Sequence, residues 1–271
     1  MTLTKYSCRS FNSIYVSNSK VIKYSEKSLE GEIYYYLHIP KQVSNLFPKM
    51  LSYEKGMYSY TMEYVKGHNV SALFVDEKLT IPMFESILDS LQKIHNNVPT
   101  KHTYHKEIYN NYSKKLIQRY SSHNYTQMDA DIDYIYSLLL SSLDAYEDSK
   151  KGKIGMIHGD PVFTNIIHNS DTNTFKFIDM RGVLGDQLSV FGDTMYDWAK
   201  IYQSLIGYDG IIQNKTPSTE YIDKLTKVFF QKCPHKRRDV EVITSSMLFS
   251  LIPLHDEHTE KFYNLCVRLL K

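Results

Sequence analysis

Two carboxylates and one amide stand close together in the middle of the chain, in a pattern that favours binding of a divalent cation. Asp160 and Asn165 come before one short apolar run, and Asp179 comes directly after a second. Residues 169–173 between the runs are dense in turn formers, so this stretch predicts a short β-hairpin. A hairpin would bring the three polar side chains to one end, where their oxygens suit Mg²⁺. Phosphoryl transfer needs such a site, because its catalysis is mostly charge neutralisation and positioning.

The residues around this hairpin resemble one known family. His158-Gly159-Asp160 followed by Asn165 is similar to the catalytic loop of the aminoglycoside phosphotransferase and choline kinase group, and Asp179 matches that group's metal-binding aspartate. The spacing from Asp to Asn is also that of the protein-kinase loop. Gly159 and Val162, however, stand where protein kinases carry arginine and usually lysine. Both departures favour the small-molecule branch over a protein kinase; a hairpin with an incidental acidic turn is the structural alternative.

The resemblance implies a fold, a reaction and roles for three residues. The fold is α+β, a two-lobed protein-kinase-like fold with a small antiparallel β lobe over residues 1–65 and a larger, mainly helical lobe over residues 66–271. The implied reaction moves the γ-phosphoryl group of ATP, with Mg²⁺ as cofactor, to a hydroxyl of a small molecule. Asp160 would orient the hydroxyl and take its proton late, while Asn165 and Asp179 would hold the metal.

The start of the chain predicts two strands, over residues 10–16 and 20–24, joined by a polar turn. They resemble the first hairpin of a kinase small lobe, although the pattern G-x-G-x-x-G is missing. A phosphate-covering turn would have to be Ser10–Ser13, with small hydroxyls and backbone N–H groups in place of glycines. Ser13 is therefore a predicted nucleotide contact.

Lys23 resembles the kinase strand lysine that neutralises the α- and β-phosphates. In isolation the pattern favours an exposed strand lysine. Its carboxylate partner is expected on a helix predicted over residues 28–38, where the candidates are Glu26, Glu30 and Glu32. Glu32 is favoured because it lies well inside the helix, and Glu30 is the alternative.

Two further strands, predicted over residues 47–53 and 57–64, lead into a segment similar to the hinge between kinase lobes. Adenine recognition there would use the carbonyl of Glu63 and the backbone N–H and C=O of Val65. Side-chain identity is therefore loosely constrained, and an edge strand that ends in a glycine turn has the same pattern.

Apolar residues at helical spacing predict a mainly helical remainder. The predicted helices cover residues 81–97, 108–120, 130–146, 218–231, 239–251 and 257–270. Lys114, Lys115 and Arg119 cluster on the second of these helices. Such a cluster is either a solvated surface or the contact with an anionic substrate.

Residues 192–199 resemble the G-D-x-x-Y-D-x-A element of the same family. Asp193 is expected to cap the helix that follows, and Asp197, beside the chain's one tryptophan, to tether the catalytic loop by hydrogen bonds. Both roles are structural.

Three residues are candidates for contact with the acceptor. Arg181, two residues beyond the metal aspartate, either pairs with a substrate phosphate or carboxylate or forms a salt bridge with Asp186 or Glu63. His255 and Asp256 either line the acceptor site or form a helix cap with a loop histidine.

Composition limits the remaining classes. The 271 residues, 42% of them hydrophobic, suffice for a globular core. The 32 basic and 30 acidic residues nearly cancel, so charge predicts neither a nucleic-acid nor a membrane partner. Three dispersed cysteines argue against a disulfide framework. No signal segment or long apolar run is present, and the predicted location is cytoplasmic.

The acceptor is the least determined part of the prediction. Choline or an aminoglycoside would call for an acidic and aromatic pocket, whereas the aromatic region 104–136 is basic in its first half. Together with Arg181, this favours a sugar or another small metabolite, in a setting such as surface-glycan synthesis. The alternatives are a choline/ethanolamine or aminoglycoside kinase and a non-catalytic nucleotide-binding pseudokinase. A protein kinase is disfavoured by Val162 and by the lack of a recognisable activation segment with A-P-E.

Overall fold

The structure is a computed structural model, and it describes residues 4–6, 12–17, 19–99, 107–125, 128 and 131–271. Residues 4–6 and Asp256 are described by their backbone alone. None of the helices within these ranges is both long enough and apolar enough to cross a lipid bilayer.

The first part of the chain forms a five-stranded antiparallel sheet with one helix beside it. Its elements are β1 (Thr4–Tyr6), β2 (Asn12–Val16), β3 (Lys20–Ser25), α1 (Glu30–Leu37), β4 (Met50–Tyr53) and β5 (Ser59–Glu63). The strands are ordered β1-β2-β3-β5-β4. Alternate residues of β3 and β5 point to the helix side and form a small apolar core, whose members are Val21, Leu29, Ile33, Tyr60 and Met62.

The rest of the chain is mainly helical. Its helices are α2 (Val70–Val75), α3 (Ile81–His95), α4 (Ser113–Ser121), α5 (Ile132–Asp148), α6 (Met195–Gln203), α7 (Asp209–Ile212), α8 (Thr219–Lys232), α9 (Arg237–Phe249) and α10 (Thr259–Leu270). A π-helical turn, Ser204–Tyr208, connects α6 to α7. One continuous core of buried side chains fills this part, and Trp198 on α6 lies in it against Phe229 of α8, with ring centroids 5.6 Å apart.

The predicted helices are present with shifted ends, and one begins later than expected. The segment predicted as a helix over residues 108–120 starts with a single 3₁₀ turn, Glu107–Tyr109, and the α-helix begins only at Ser113. The backbone of Tyr112 is not helical, and its hydroxyl donates to the buried carboxylate of Asp193, 2.9 Å away. A tertiary hydrogen bond therefore overrides the local helical pattern.

The helical part also contains short strands, and two of them form the hairpin that the turn residues predicted. They are β6 (His68–Asn69), β7 (Ile154–Met156), β8 (Ile166–Asn169), β9 (Thr174–Phe177), β10 (Val183–Leu184), β11 (Gln187–Leu188) and β12 (Phe191–Asp193). Strands β8 and β9 pair antiparallel, with Ile166 opposite Phe177. The N–H of Ile178 then donates to the carbonyl of Asn165 at 3.0 Å. The residue before β8 and those after β9 are thus adjacent.

Helix α1 lies directly on the chain segment that follows this hairpin. A Cβ atom added to Gly31 would lie 2.4 Å from the carbonyl oxygen of Arg181, and one added to Gly182 would lie 1.8 Å from the carbonyl oxygen of Gly31. Two backbones can approach this closely only because both positions are glycine. Gly182 also has φ +60°, a conformation that glycine adopts at little cost.

Candidate active site

The loop before β8 is held from below by one buried carboxylate. The N–H groups of His158 and Gly159 donate to Asp197 on α6 at 2.7 and 2.8 Å. His95, at the end of α3, contacts the same carboxylate at 3.0 Å. The expected tether between Asp197 and the loop is therefore present, and His95 belongs to it.

Asp193 is fully buried and accepts more hydrogen bonds than a helix cap requires. Its carboxylate accepts from the N–H groups of Lys153 and Met195 and from the hydroxyls of Tyr112 and Tyr146. The bond to Met195, the first residue of α6, is the expected capping contact. The other bonds tie the strand before α6 to the helices around it.

Asp160 lies on the solvent side of the loop and is paired with a lysine. Nζ of Lys200 on α6 is 3.1 Å from its Oδ1. Burial alone would raise the pKa of Asp160, but Lys200 and Arg181 outweigh burial and hold that pKa well below its usual range. The carboxylate is therefore ionised at neutral pH.

Asn165 is oriented by the same loop. Its side-chain Nδ2 donates to the backbone carbonyl of Asp160 at 2.9 Å. Because this bond uses the amide nitrogen, the amide oxygen Oδ1 is the end that remains to accept or to bind a cation.

Asp179 follows β9 with a left-handed backbone, φ +59°, which is uncommon for a residue other than glycine. Nζ of Lys23 lies 3.0 Å from its Oδ1. The same ammonium donates to both carboxylate oxygens of Glu32 at 2.8 Å, and the hydroxyl of Tyr60 also donates to Glu32 at 2.7 Å. The prediction that Lys23 pairs with Glu32 on α1, rather than with Glu30, is thus confirmed.

The lysine is buried between the two carboxylates. Its side chain is only 5% exposed. Burial would lower the pKa of Lys23, but Asp179 and Glu32 outweigh burial, and the pKa is raised. Lys23 consequently carries a fixed positive charge next to Asp179.

The donor set fits a magnesium ion. Asp179 offers a side-chain carboxylate that is 40% exposed. Asn165, on the adjoining segment of the chain, offers its side-chain amide oxygen. Magnesium is usually bound by one or two such side chains, with phosphates and water completing its shell. Among the described residues, no group of three or more His, Cys, Asp or Glu side chains is arranged to bind a metal by itself.

The predicted hinge follows β5. Glu63 is the last residue of that strand, and its carboxylate lies 3.8 Å from Nζ of Lys176. Within the described ranges, the backbone N–H and C=O of Val65 form no hydrogen bond. These two groups remain open to a partner outside the chain, as recognition of a nucleobase requires.

One predicted site residue, Ser13, is placed differently from expectation. Ser13 lies inside β2, opposite Tyr24 of β3, so it is a strand residue and not part of a turn; Ser10 lies outside the described residues. The ring of His255 packs against Phe262, 5.4 Å between centroids, and the side chain of Asp256 lies outside the described part.

A cavity of about 240 Å³ opens beside Asp160. Its basic lining residues are Lys27, Lys115, Arg119, Arg181 and Lys200, and Asp160 is the carboxylate among the lining residues. Leu251 and Leu254 line it, whereas His255 is not among its described lining residues. Arg181 and two residues of the basic cluster, Lys115 and Arg119, thus meet at the predicted acceptor side of Asp160.

Arg181 does not form the predicted surface salt bridge. Within the described ranges, no carboxylate lies within 4.0 Å of its guanidinium, neither Asp186 nor Glu63. Its backbone N–H donates to the carbonyl of His158 at 3.0 Å. This bond fixes the start of the side chain directly above the loop.

Lys115 is half-buried and lies against Tyr196, with Nζ 2.7 Å from the phenol oxygen. Burial, together with the cations Arg181 and Lys200, lowers the pKa of Lys115 to about 8 against the attraction of Tyr196. Burial would raise the pKa of Tyr196, but the neighbouring cations bring it down to about 8.

Sequence reasoning missed two residues of this cavity, Lys200 and Tyr196. They stand four residues apart on α6 and therefore lie on one face of the helix. Tyr196 is the tyrosine of the family-like element, and Lys200 lies three residues after Asp197, so helical spacing from this element was the available signal.

Comparisons with known proteins support the fold. No protein-family model matches the sequence, and no curated protein matches it. Among solved structures, choline kinase LicA from Streptococcus pneumoniae is 13% identical, with a TM-score of 0.69, over 100% of this chain and 93% of its own. A choline/ethanolamine kinase family protein from Mesorhizobium loti is 10% identical, with a TM-score of 0.67, over 100% and 88%.

An aminoglycoside phosphotransferase, APH(4)-Ia, solved with AMP-PNP and hygromycin B, is 12% identical, with a TM-score of 0.68. It aligns over 99% of this chain and 93% of its own. These likenesses confirm the predicted α+β, two-lobed protein-kinase-like fold.

Proposed function

We propose that this chain, which shares the fold of choline kinases and aminoglycoside phosphotransferases, is a small-molecule kinase. It would transfer the γ-phosphoryl group of ATP to a hydroxyl of a small metabolite, with a sugar favoured, in a setting such as surface-glycan synthesis. The observation that carries the proposal is the convergence of Asp160, Asn165 and the ion pair of Lys23 with Asp179 at one place, where the β-rich and helical parts meet.

Asp160 has the properties of the residue that orients the acceptor hydroxyl. It is ionised at neutral pH and borders a cavity of metabolite size. A loose transition state asks little of a base, so a carboxylate with a low pKa can accept the proton late in the reaction. Lys200, 3.1 Å away, fixes its position and lies close to where negative charge would gather on the transferred group.

Asn165 and Asp179 would hold Mg²⁺, which when bound neutralises phosphate charge and orients the phosphates. Lys23, fixed by Glu32, would neutralise the α- and β-phosphates. Glu63 and Val65 would contact adenine through their backbone groups. With these roles, residues 1–65 would form the nucleotide-binding lobe and residues 66–271 the catalytic lobe, with the hinge between them.

The test is ATP turnover by single variants, measured as Mg²⁺-dependent ADP release. We expect Asp160→Ala to lower turnover at least 100-fold, since positioned acid–base groups contribute about 10²–10⁴-fold. Asp179→Ala should lower it at least as much, because that variant loses the carboxylate that would hold Mg²⁺. Asp223→Ala is the matched control, because Asp223 is an exposed residue of α8. Circular dichroism checks that all three variants fold.

Turnover at the wild-type rate in Asp179→Ala would refute the metal role of that residue. A wild-type protein that binds ATP but shows no turnover would instead be a nucleotide-binding pseudokinase.

A further inference from the structure

We propose that the acceptor carries an anionic group, a phosphate or a carboxylate, which is bound by Lys115 and Arg181 beside Asp160. The inference rests on the proposed kinase function and names the chemical class of its acceptor. It follows from the charge, the contacts and the shape of the space next to Asp160.

The charge of the cavity favours an anion. Five basic side chains line it and one carboxylate, Asp160, opposes them. That carboxylate is already paired with Lys200. Among the described residues, no carboxylate lies within 4.0 Å of Lys115 or Arg181, so these two cations present positive charge to a confined space, where it attracts an anion more strongly than an open surface would.

Arg181 is placed to bind an anion with two hydrogen bonds. A Cβ atom on Gly159 would lie 2.9 Å from Cβ of Arg181, so the arginine stem packs on the loop that carries Asp160. No carboxylate among the described residues lies within 4.0 Å of its guanidinium. A guanidinium that lines a cavity and lacks such a partner matches the forked geometry of a phosphate or a carboxylate.

Lys115 is a half-buried lysine that has no carboxylate within 4.0 Å among the described residues. Its hydrogen-bond partner is the hydroxyl of Tyr196, at 2.7 Å; the charged groups around it are the cations Arg181 and Lys200 and, without direct contact, the carboxylate of Asp160. Burial of a charge in this setting is unfavourable unless a counter-ion is supplied. An anionic ligand would supply it.

A second cavity, of about 280 Å³, shares part of its lining with the first. The shared residues are Asn111, Lys115, Arg119 and Arg181. Beyond them the second cavity presents the amide side chains Asn110, Gln118 and Gln187, which can donate to and accept from hydroxyl groups. The shared basic residues thus lie between Asp160, where the reacting hydroxyl would bind, and the polar second cavity. An acceptor that extends from one cavity into the other would carry its anionic group between its two ends.

A cationic acceptor fits this space poorly. An ammonium group would meet the surplus of like charge, and such juxtaposition is unfavourable. A separate explanation, that the cations serve only the transferred phosphoryl group, makes a different prediction. In that case their loss would change turnover and the KM for ATP while leaving acceptor binding unchanged.

The experiment is calorimetric titration in the presence of ADP and Mg²⁺. The anionic probes are inorganic phosphate, glucose 6-phosphate and gluconate, and the comparison compounds are glucose, choline and kanamycin. We expect at least one anionic probe to bind 10-fold or more tightly than glucose. Lys115→Gln and Arg181→Gln should each weaken that binding at least 10-fold, and Arg181→Lys should recover part of it.

Lys224→Gln is the matched control, because Lys224 lies on α8 with a side chain 61% exposed and pairs with Glu220. It removes the same charge and should leave binding unchanged. Thermal unfolding of each variant separates loss of binding from loss of structure.

The inference is overturned if no anionic probe binds more tightly than glucose, if choline or kanamycin binds best, or if Arg181→Gln weakens glucose as much as glucose 6-phosphate. The kinase proposal is tested separately by ATP turnover in Asp160→Ala. Normal turnover in that variant would overturn the kinase proposal, whereas absence of anion binding with normal wild-type turnover would overturn only the acceptor class.

Discussion

At the scale of single residues, the pair of Lys115 and Tyr196 sets the charge beside Asp160. Both groups have a pKa of about 8, and the other charged groups that face them are the cations Arg181 and Lys200 and the carboxylate of Asp160. Since the two sites interact, the proton lost near pH 8 belongs to the pair and not to one residue. Whichever residue releases it, the charge of the cavity falls by one.

Affinity for an anionic ligand should therefore fall as the pH rises. We expect binding of glucose 6-phosphate to weaken about 10-fold between pH 7 and 9, because the cavity loses one positive charge. The charge of the ligand stays constant in this range, since the second pKa of its phosphate is near 6. Asp160 also keeps its charge, because its pKa is far lower. Calorimetric titration across this range is the measurement.

Tyr196→Phe sharpens that experiment. Tyr196 raises the pKa of Lys115, so the variant should lose anion affinity at a lower pH than the wild type. A wild-type affinity that stays constant from pH 7 to 9 would contradict the role given to the pair.

At the scale of elements, α1 and the segment after Asp179 are joined without intervening side chains. Gly31 lies on the carbonyl oxygen of Arg181, and Glu32, which holds Lys23, is the next residue. A shift of the helix would thus move the carboxylate that positions the lysine. Close packing at Gly31 therefore fixes the position of α1 relative to the segment that follows Asp179.

Gly31→Ala tests that contact. Helix propensity alone would stabilise the protein by up to about 1 kcal/mol, but the new Cβ would lie 2.4 Å from a backbone oxygen. We expect net destabilisation in urea unfolding and a fall of kcat/KM for ATP of about 10-fold or more.

Gly56→Ala is the control for this variant, because its Cβ would meet only the side chain of Tyr58, at 3.3 Å. A Gly31→Ala variant that is more stable than the wild type and equally active would show that the contact does not position Glu32.

Local pattern predicted the elements well and their tertiary exceptions poorly. The hairpin of β8 and β9 was readable because turn residues are encoded in a short stretch. For the pairing of Lys23 with Glu32, the family resemblance supplied the lysine and the position in the helix selected the glutamate. Ser13 was misplaced because a strand and a serine-rich turn look alike without the pairing partner. The place of Lys200 beside Asp160 depends on how α6 packs under the loop, which no local spacing from Asp160 contains.

At the scale of the whole molecule, the β-rich part has a small core of its own and is joined to the helical part by apolar and polar contacts, since its Tyr35 and Phe47 belong to the large core. Besides the ion pair of Lys23 with Asp179, Nζ of Lys176 donates to the carbonyl of Phe47 at 3.1 Å and lies near Glu63. A ligand that contacts Lys23, Asp179 and the hinge would add to these links.

ADP with Mg²⁺ should therefore raise the unfolding temperature. At a concentration of 100 times Kd, ligand binding stabilises a folded protein by about 2.7 kcal/mol. For a protein of this size that corresponds to roughly 5 °C in Tm, measurable by differential scanning calorimetry. The rise should disappear in Asp179→Ala; an equal rise in the presence of a chelator would contradict the metal role.

Trp198 gives the molecule a built-in optical signal. It is the only tryptophan in the sequence, its indole is buried beside His95, and its neighbour in the chain is the carboxylate that anchors His158 and Gly159. Tryptophan fluorescence therefore reports on the packing beneath the loop that begins at His158. A red shift of the emission would show that this packing has loosened, without any attached dye.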